Sequence, residues 1–144
     1  QLPTGDVRVT GNAWLDREWS SQPLASDQTG WDWFSLSFDD GARLMGFRLQ
    51  QTDGAHFTSA TWIAVDGTTT AMADGAFTAI PLDENAQGVP VRWHVTLPAK
   101  GVDVTVGAIN DNAWMTTSVP YWEGPVTVTG SHTGHGYLEM TGYE

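Results

Sequence analysis

Alternation with a period of two runs through most of this chain, and it leaves room for little besides antiparallel β-sheet. Val91, Trp93, Val95 and Leu97 fall on one side of an extended segment, with Arg92, His94 and Thr96 on the other. Val102, Val104, Val106 and Ala108 alternate with Asp103, Thr105 and Gly107, and Asp32, Phe34, Leu36 and Phe38 with Trp31, Trp33, Ser35 and Ser37. Successive side chains of a strand leave opposite faces, so each segment buries one face and wets the other. Asp-Gly dipeptides at 40–41, 53–54, 66–67 and 74–75 lie between such segments, where this pair signals a hairpin. Pro98-Ala-Lys-Gly101 supplies a further hairpin loop. No stretch shows a convincing 3.6-residue period, so at most one helical turn is expected, near Asp83-Glu-Asn-Ala86.

Strands are expected at roughly 6–13, 31–39, 42–50, 55–64, 68–72, 76–80, 90–97, 102–109, 112–117, 123–129 and 136–142. The fold class is all-β. A meander of that length with one apolar face closes most naturally into an antiparallel up-and-down β-barrel, and a two-sheet sandwich is the alternative. The 144 residues make one domain, 1–144, long enough for a proper core.

Seventeen acids against six bases give a net charge of −11. That charge repels nucleic acid and anionic membranes, and no basic patch reverses it, so the partner expected is neutral, apolar or cationic. The chain has no cysteine, which excludes disulfides, a thiolate nucleophile and any Cys-ligated metal. No apolar run approaches the roughly 18 residues that a membrane-spanning helix needs. Gln1-Leu-Pro-Thr-Gly5 reads as a cut inside a longer chain.

Candidate chemistry gathers where tryptophan and carboxylate interleave. In Trp14-Leu-Asp-Arg-Glu-Trp19, an extended backbone puts Trp14, Asp16 and Glu18 on one face. Two carboxyls beside an indole suit a general acid raised in pKa by apolar surroundings, or a structural network neutralised by Arg17. In Trp31-Asp32-Trp33, the more apolar face is that of Asp32, Phe34, Leu36 and Phe38, which turns both rings outward. The rings then form a docking patch, a platform for sugar rings, or a surface covered by the loop at 20–29. Tyr121-Trp122-Glu123 repeats the theme at a strand entrance, where an aromatic either meets ligand or plugs the barrel. His132 and His135 form a weak metal signal without an evident third ligand, so no metal is expected. No Gly-x-Ser-x-Gly, phosphate loop or dinucleotide fingerprint occurs.

Four segments resemble one family: Val9-Thr-Gly-Asn-Ala-Trp-Leu-Asp-Arg-Glu-Trp-Ser-Ser-Gln-Pro-Leu24, Gly30-Trp-Asp-Trp-Phe-Ser-Leu36, Pro120-Tyr-Trp-Glu-Gly-Pro-Val126 and Gly136-Tyr-Leu-Glu-Met-Thr-Gly-Tyr143. They are similar to the AttH-like, lipocalin-like proteins related to carotenoid 1,2-hydratase (hydroxyneurosporene synthase). The resemblance implies a calycin-like barrel, and specifically the C-terminal one of a two-barrel protein. It further implies an exported, periplasmic or secreted setting, association with ABC-transporter components, and no cofactor. The function expected is binding of a lipophilic, isoprenoid- or lipid-like small molecule. The alternative is a cofactor-independent hydratase or lyase acting on an isoprenoid-like alkene. In that alternative Asp16 would protonate the alkene, Trp14, Trp19 or Trp122 would stabilise the cation, and Glu18 or Glu123 would act as base. Trp31, Asp32, Trp33 and Tyr121 complete the expected ligand-binding set. An orphaned barrel would leave a face able to pair with a second barrel or with its own copy as a homodimer.

Overall fold

The computed structural model describes residues 3–16, 24–117 and 120–143. Among the described residues ten strands follow one another: β1 (Gln28–Phe38), β2 (Arg43–Gln51), β3 (His56–Ile63), β4 (Thr69–Met72), β5 (Thr78–Glu84), β6 (Pro90–Leu97), β7 (Val102–Ala108), β8 (Trp114–Met115), β9 (Tyr121–Gly130) and β10 (Gly134–Met140). They form one antiparallel sheet in the order β4-β3-β2-β1-β10-β9-β7-β6-β5, with the short β8 attached to β9. Nearly every neighbour in space is thus a neighbour in sequence, and the first and last strands pair. This is a lipocalin-like up-and-down barrel whose ladder is open at one seam, between β4 and β5.

Turn chemistry explains the meander. In the hairpins at Asp40-Gly41, Asp53-Gly54 and Asp66-Gly67, the carboxylate accepts the amide two residues on at 2.9 Å each time. Each glycine sits at positive φ (94°, 83° and 86°), whereas among the described residues every non-glycine keeps φ negative. A two-residue type I′ turn needs positive φ at both central positions, so these are instead type I turns closed by a left-handed glycine bulge. The loop expected to hold a helical turn near 83–86 is also a hairpin. There β5 runs to Glu84, and Asn85 takes the Val89 and Gln87 amides on its side-chain oxygen. Among the described residues the one short helical element is a 3₁₀ turn at Pro98–Lys100, inside the predicted Pro98–Gly101 loop.

The inward face carries the core. Phe34, Leu36, Leu44, Val95, Leu97, Val106, Leu138 and Met140 are buried to within 1% of full burial, with Trp93 and Trp122 beside them. Phe34 meets Trp93 edge-on at 5.4 Å and Phe77 at 6.0 Å, in the T-shaped geometry that ring quadrupoles favour. Burying each such ring contributes about 1.5–3 kcal/mol. The barrel interior is therefore filled by side chains.

One predicted strand is not formed. Residues 6–13 alternate in sequence, yet residues 6–16 carry no strand, and Val7 and Val9 are 60% and 80% exposed. Alternation fixes a strand only where one face has something to bury against. Here the segment lies as a strap, attached to the outer side of the sheet through Asn12 and Trp14.

Candidate functional site

The outer face of β1, β10 and β9 is where the acidic and aromatic residues meet. Register brings them there: Trp33 stands opposite Glu139, and Glu139 opposite Glu123, so one row crosses three strands. The next row along β1 and β10 is Ser35 with Tyr137, then Ser37 with His135. The strap passes over these rows, with Asn12 Nδ2 3.2 Å from His135 Nε2 and the Trp14 ring edge-on to Trp33 at 6.0 Å. Between strap and sheet lies a cleft of about 540 Å³, lined by Trp14, Asp16, Trp33, Glu123, His135, Tyr137 and Glu139 among others. At its border Trp31 donates its indole N–H to Glu139 Oε1 at 2.8 Å, and its ring leans on Tyr121 at 6.0 Å.

Three carboxylates and three aromatic rings therefore share one concavity. Its potential registers on Tyr137, whose phenol is pushed above its ordinary pKa by burial and then by the charges of Glu123 and Glu139. Glu139 and Glu123 stand directly opposite one another on this ladder, and Glu139 accepts the Trp31 indole N–H.

A second polar cluster is inside the barrel. Asp32 is fully buried and accepts from Arg48 Nε at 2.8 Å and from the Tyr143 hydroxyl at 2.7 Å, with Gln50 Nε2 at 3.4 Å. Arg48 spreads over the Trp93 ring, 4.8 Å from its centroid, and approaches the Ala79 carbonyl across the open seam at 3.4 Å. Burial raises the Asp32 carboxyl, against the opposing pull of Arg48, Tyr143 and Gln50. Tyr143 is raised as well, by burial and by the adjacent Asp32 charge. The Trp93 indole N–H and the Thr141 hydroxyl are buried beside this region without a hydrogen-bond partner among the described residues.

The predicted site residues divide between these places. Trp14, Asp16, Trp33 and Glu123 line the cleft, and Trp31 and Tyr121 flank it on the same outer face. Asp32 and Trp122 point the other way, into the core, where Trp122 donates to the Asp111 carbonyl at 3.0 Å. Glu18 and Trp19 lie outside the described residues. Neither outward Trp is an open platform, because Trp14 covers Trp33 and Tyr121 abuts Trp31. His132 stacks on Phe38 at 4.8 Å, whereas His135 faces the cleft. Among the described residues no group of three or more His, Cys, Asp or Glu could hold a metal ion. Sequence reasoning missed Tyr137 and Glu139, although period two along Gly136–Met140 puts them on one face.

A family model described as AttH-like matches residues 1–143. The chain belongs to the AttH-like family. This AttH-like barrel is similar to a solved structure assigned to AttH from Nitrosomonas europaea, with a TM-score of 0.76 and 29% identity over 87% of the chain. It spans only 42% of that protein's chain. No curated protein matches it. The lipocalin-like reading of the sequence thus stands on strand order, on the family and on a solved relative together.

Proposed function

We propose that this AttH-like barrel is a binding domain that holds a lipophilic small molecule in the cleft between strap and sheet. The observation that carries the reading is the edge-to-face pair of Trp14 and Trp33 over a cleft of about 540 Å³. The barrel interior is filled by Trp93, Trp122, Phe34 and Phe77, so the ligand site belongs on the outside rather than in a lipocalin-type lumen. Pockets of roughly 300–1,000 Å³ lined by rings with a few polar groups are typical of small-molecule sites. A second, N-terminal barrel covers part of the outer face in the whole protein, or a second copy does. The size of the Nitrosomonas europaea chain, of which this barrel spans 42%, leaves room for such a domain. The protein works in a periplasmic or secreted setting, alongside ABC-transporter components, as the family resemblance leads one to expect.

A hydratase or lyase is the second reading, favoured by one specific observation: Asp16 and Glu123 line the same cleft as the indoles. Asp16 would give its proton to an alkene carbon, the ring faces would stabilise the cation, and Glu123 would take a proton from the adding water.

Tryptophan quenching and native mass spectrometry with farnesol and a fatty alcohol test both readings. Binding of one ligand per chain, weakened by Trp33→Leu, is the result expected of a binding domain. Conversion of farnesol to a hydrated product by the wild-type chain, and not by Asp16→Asn, would replace it with the enzyme. Ligand held equally by Trp33→Leu would sink the cleft assignment.

A further inference from the structure

Besides Trp14 against Trp33, the strap over the cleft is fastened by the side chain of Asn12. Its Oδ1 lies 3.4 Å from Arg43 Nη2 and its Nδ2 lies 3.2 Å from His135 Nε2. A guanidinium has donors and no acceptor, so the Asn12 oxygen must face Arg43 and the amide NH2 must face His135. Arg43 cannot turn aside, because its Nη1 holds the Gly41 carbonyl and the guanidinium is a rigid planar fork. His135 Nε2 therefore accepts, which only the neutral ring can do. A protonated ring would set N–H against NH2, and turning the amide over would set the NH2 against Arg43 instead. Protonation also puts a positive charge at each end of one amide. Imidazole is the side chain whose charge ordinarily changes between pH 5 and 8. The strands beside His135 oppose it with Ser37 and Thr127, which do not titrate. The other ionisable groups lining the cleft are Asp16 of the strap, Glu123 of β9, and Tyr137 and Glu139 of β10. Asp39 and Asp40, at the β1–β2 turn, hold the Thr133 hydroxyl and the Ala42 amide.

We infer that Asn12 is a proton-sensitive clasp on the strap: a proton taken up by His135 releases the strap from the sheet and opens the cleft, and its loss fastens the strap again. This adds regulation to the cleft proposed above as the ligand site. It rests on that reading for its purpose and on the geometry of Arg43, Asn12 and His135 for its mechanism. Only a proton is exchanged, with solvent, and no covalent bond between heavy atoms changes.

The test needs no ligand: fluorine NMR of the chain labelled with 5-fluorotryptophan, titrated from pH 8 to pH 5. Trp14→Phe and Trp33→Phe assign the two resonances of the strap contact. On acidification both should move towards their positions in Asn12→Ala, which lacks the clasp at every pH. Loss of one hydrogen bond should raise the open population roughly threefold to tenfold. The buried Trp93 resonance should stay in place, which separates a moving strap from an unfolding barrel. His135→Gln keeps an acceptor without a titrating group, and Asn12→Asp accepts from Arg43 and from a protonated His135 alike. Both variants should hold the strap closed at pH 5. Wild-type resonances that ignore pH, or a shift that persists in His135→Gln, would overturn the inference. So would an Asn12→Ala spectrum matching the wild type at pH 8, since the clasp would then hold nothing. None of these results decides whether farnesol binds in the cleft, and failed farnesol binding would leave the clasp standing.

Discussion

Arg48 is the residue on which most of the interior polar chemistry converges. It pairs with buried Asp32, lies over Trp93, approaches Tyr143 Oη at 3.4 Å and reaches the Ala79 carbonyl across the seam. Removing one partner of a buried pair leaves the other charge uncompensated, which costs on the order of 3–5 kcal/mol. Arg48→Met should therefore lose about that much stability at pH 7 in urea unfolding. The loss should shrink towards pH 4. Burial already raises the Asp32 carboxyl, and without Arg48 the folded chain holds that proton more tightly still. A group raised on folding contributes its stability below its unfolded pKa and loses it as pH rises, so the variant must fall behind between acid and neutral pH. The same sign applies to Tyr143, which is raised by burial and by Asp32. Wild-type stability should fall as pH climbs past about 10, the unfolded tyrosine value, and Tyr143→Phe should flatten that alkaline limb.

At the scale of elements, two glycines separate two kinds of constraint. Gly67 has φ of 86°, and a Cβ there would meet nothing within 4 Å. Gly67→Ala should thus cost only the conformational penalty, about 1 kcal/mol. Gly46 has ordinary φ, yet its Cβ would come within 2.8 Å of the Phe77 ring. Gly46→Ala must displace a buried ring and should cost more, about 1–3 kcal/mol, with a change in near-ultraviolet dichroism that Gly67→Ala lacks. Both follow from elements that the sequence made legible. Period two placed β6 and β7 almost to the residue, because each has one fully buried face; the Asp-Gly turns at 40–41, 53–54 and 66–67 placed hairpins, whereas Asp74-Gly75 falls at the open seam, where β4 and β5 do not pair. Counting outward from Asp40-Gly41 as a two-residue turn would put Asp32 level with Leu49, and the extra residue of the glycine bulge moves it to Arg48, the pairing observed. The partnership with Tyr143 was not legible, since it depends on β1 meeting β10 from the other end of the chain. The cleft was half legible for the same reason. Local pattern grouped Trp14 with Asp16, but only the β1–β10–β9 register lines up Trp33, Glu139 and Glu123. Residues 6–13 misled because alternation alone does not supply a neighbouring strand.

For the molecule as a whole, a salt titration should raise stability. Seventeen acids against six bases repel one another in the compact state more than in the expanded chain. At about 0.15 M salt the Debye length is roughly 8 Å, so most of that long-range repulsion is screened. Thermal unfolding should therefore shift upward between low salt and 0.15 M sodium chloride. The Asp32–Arg48 pair is shielded from this screening by burial, and Arg48→Met should show the same upward shift from a lower start.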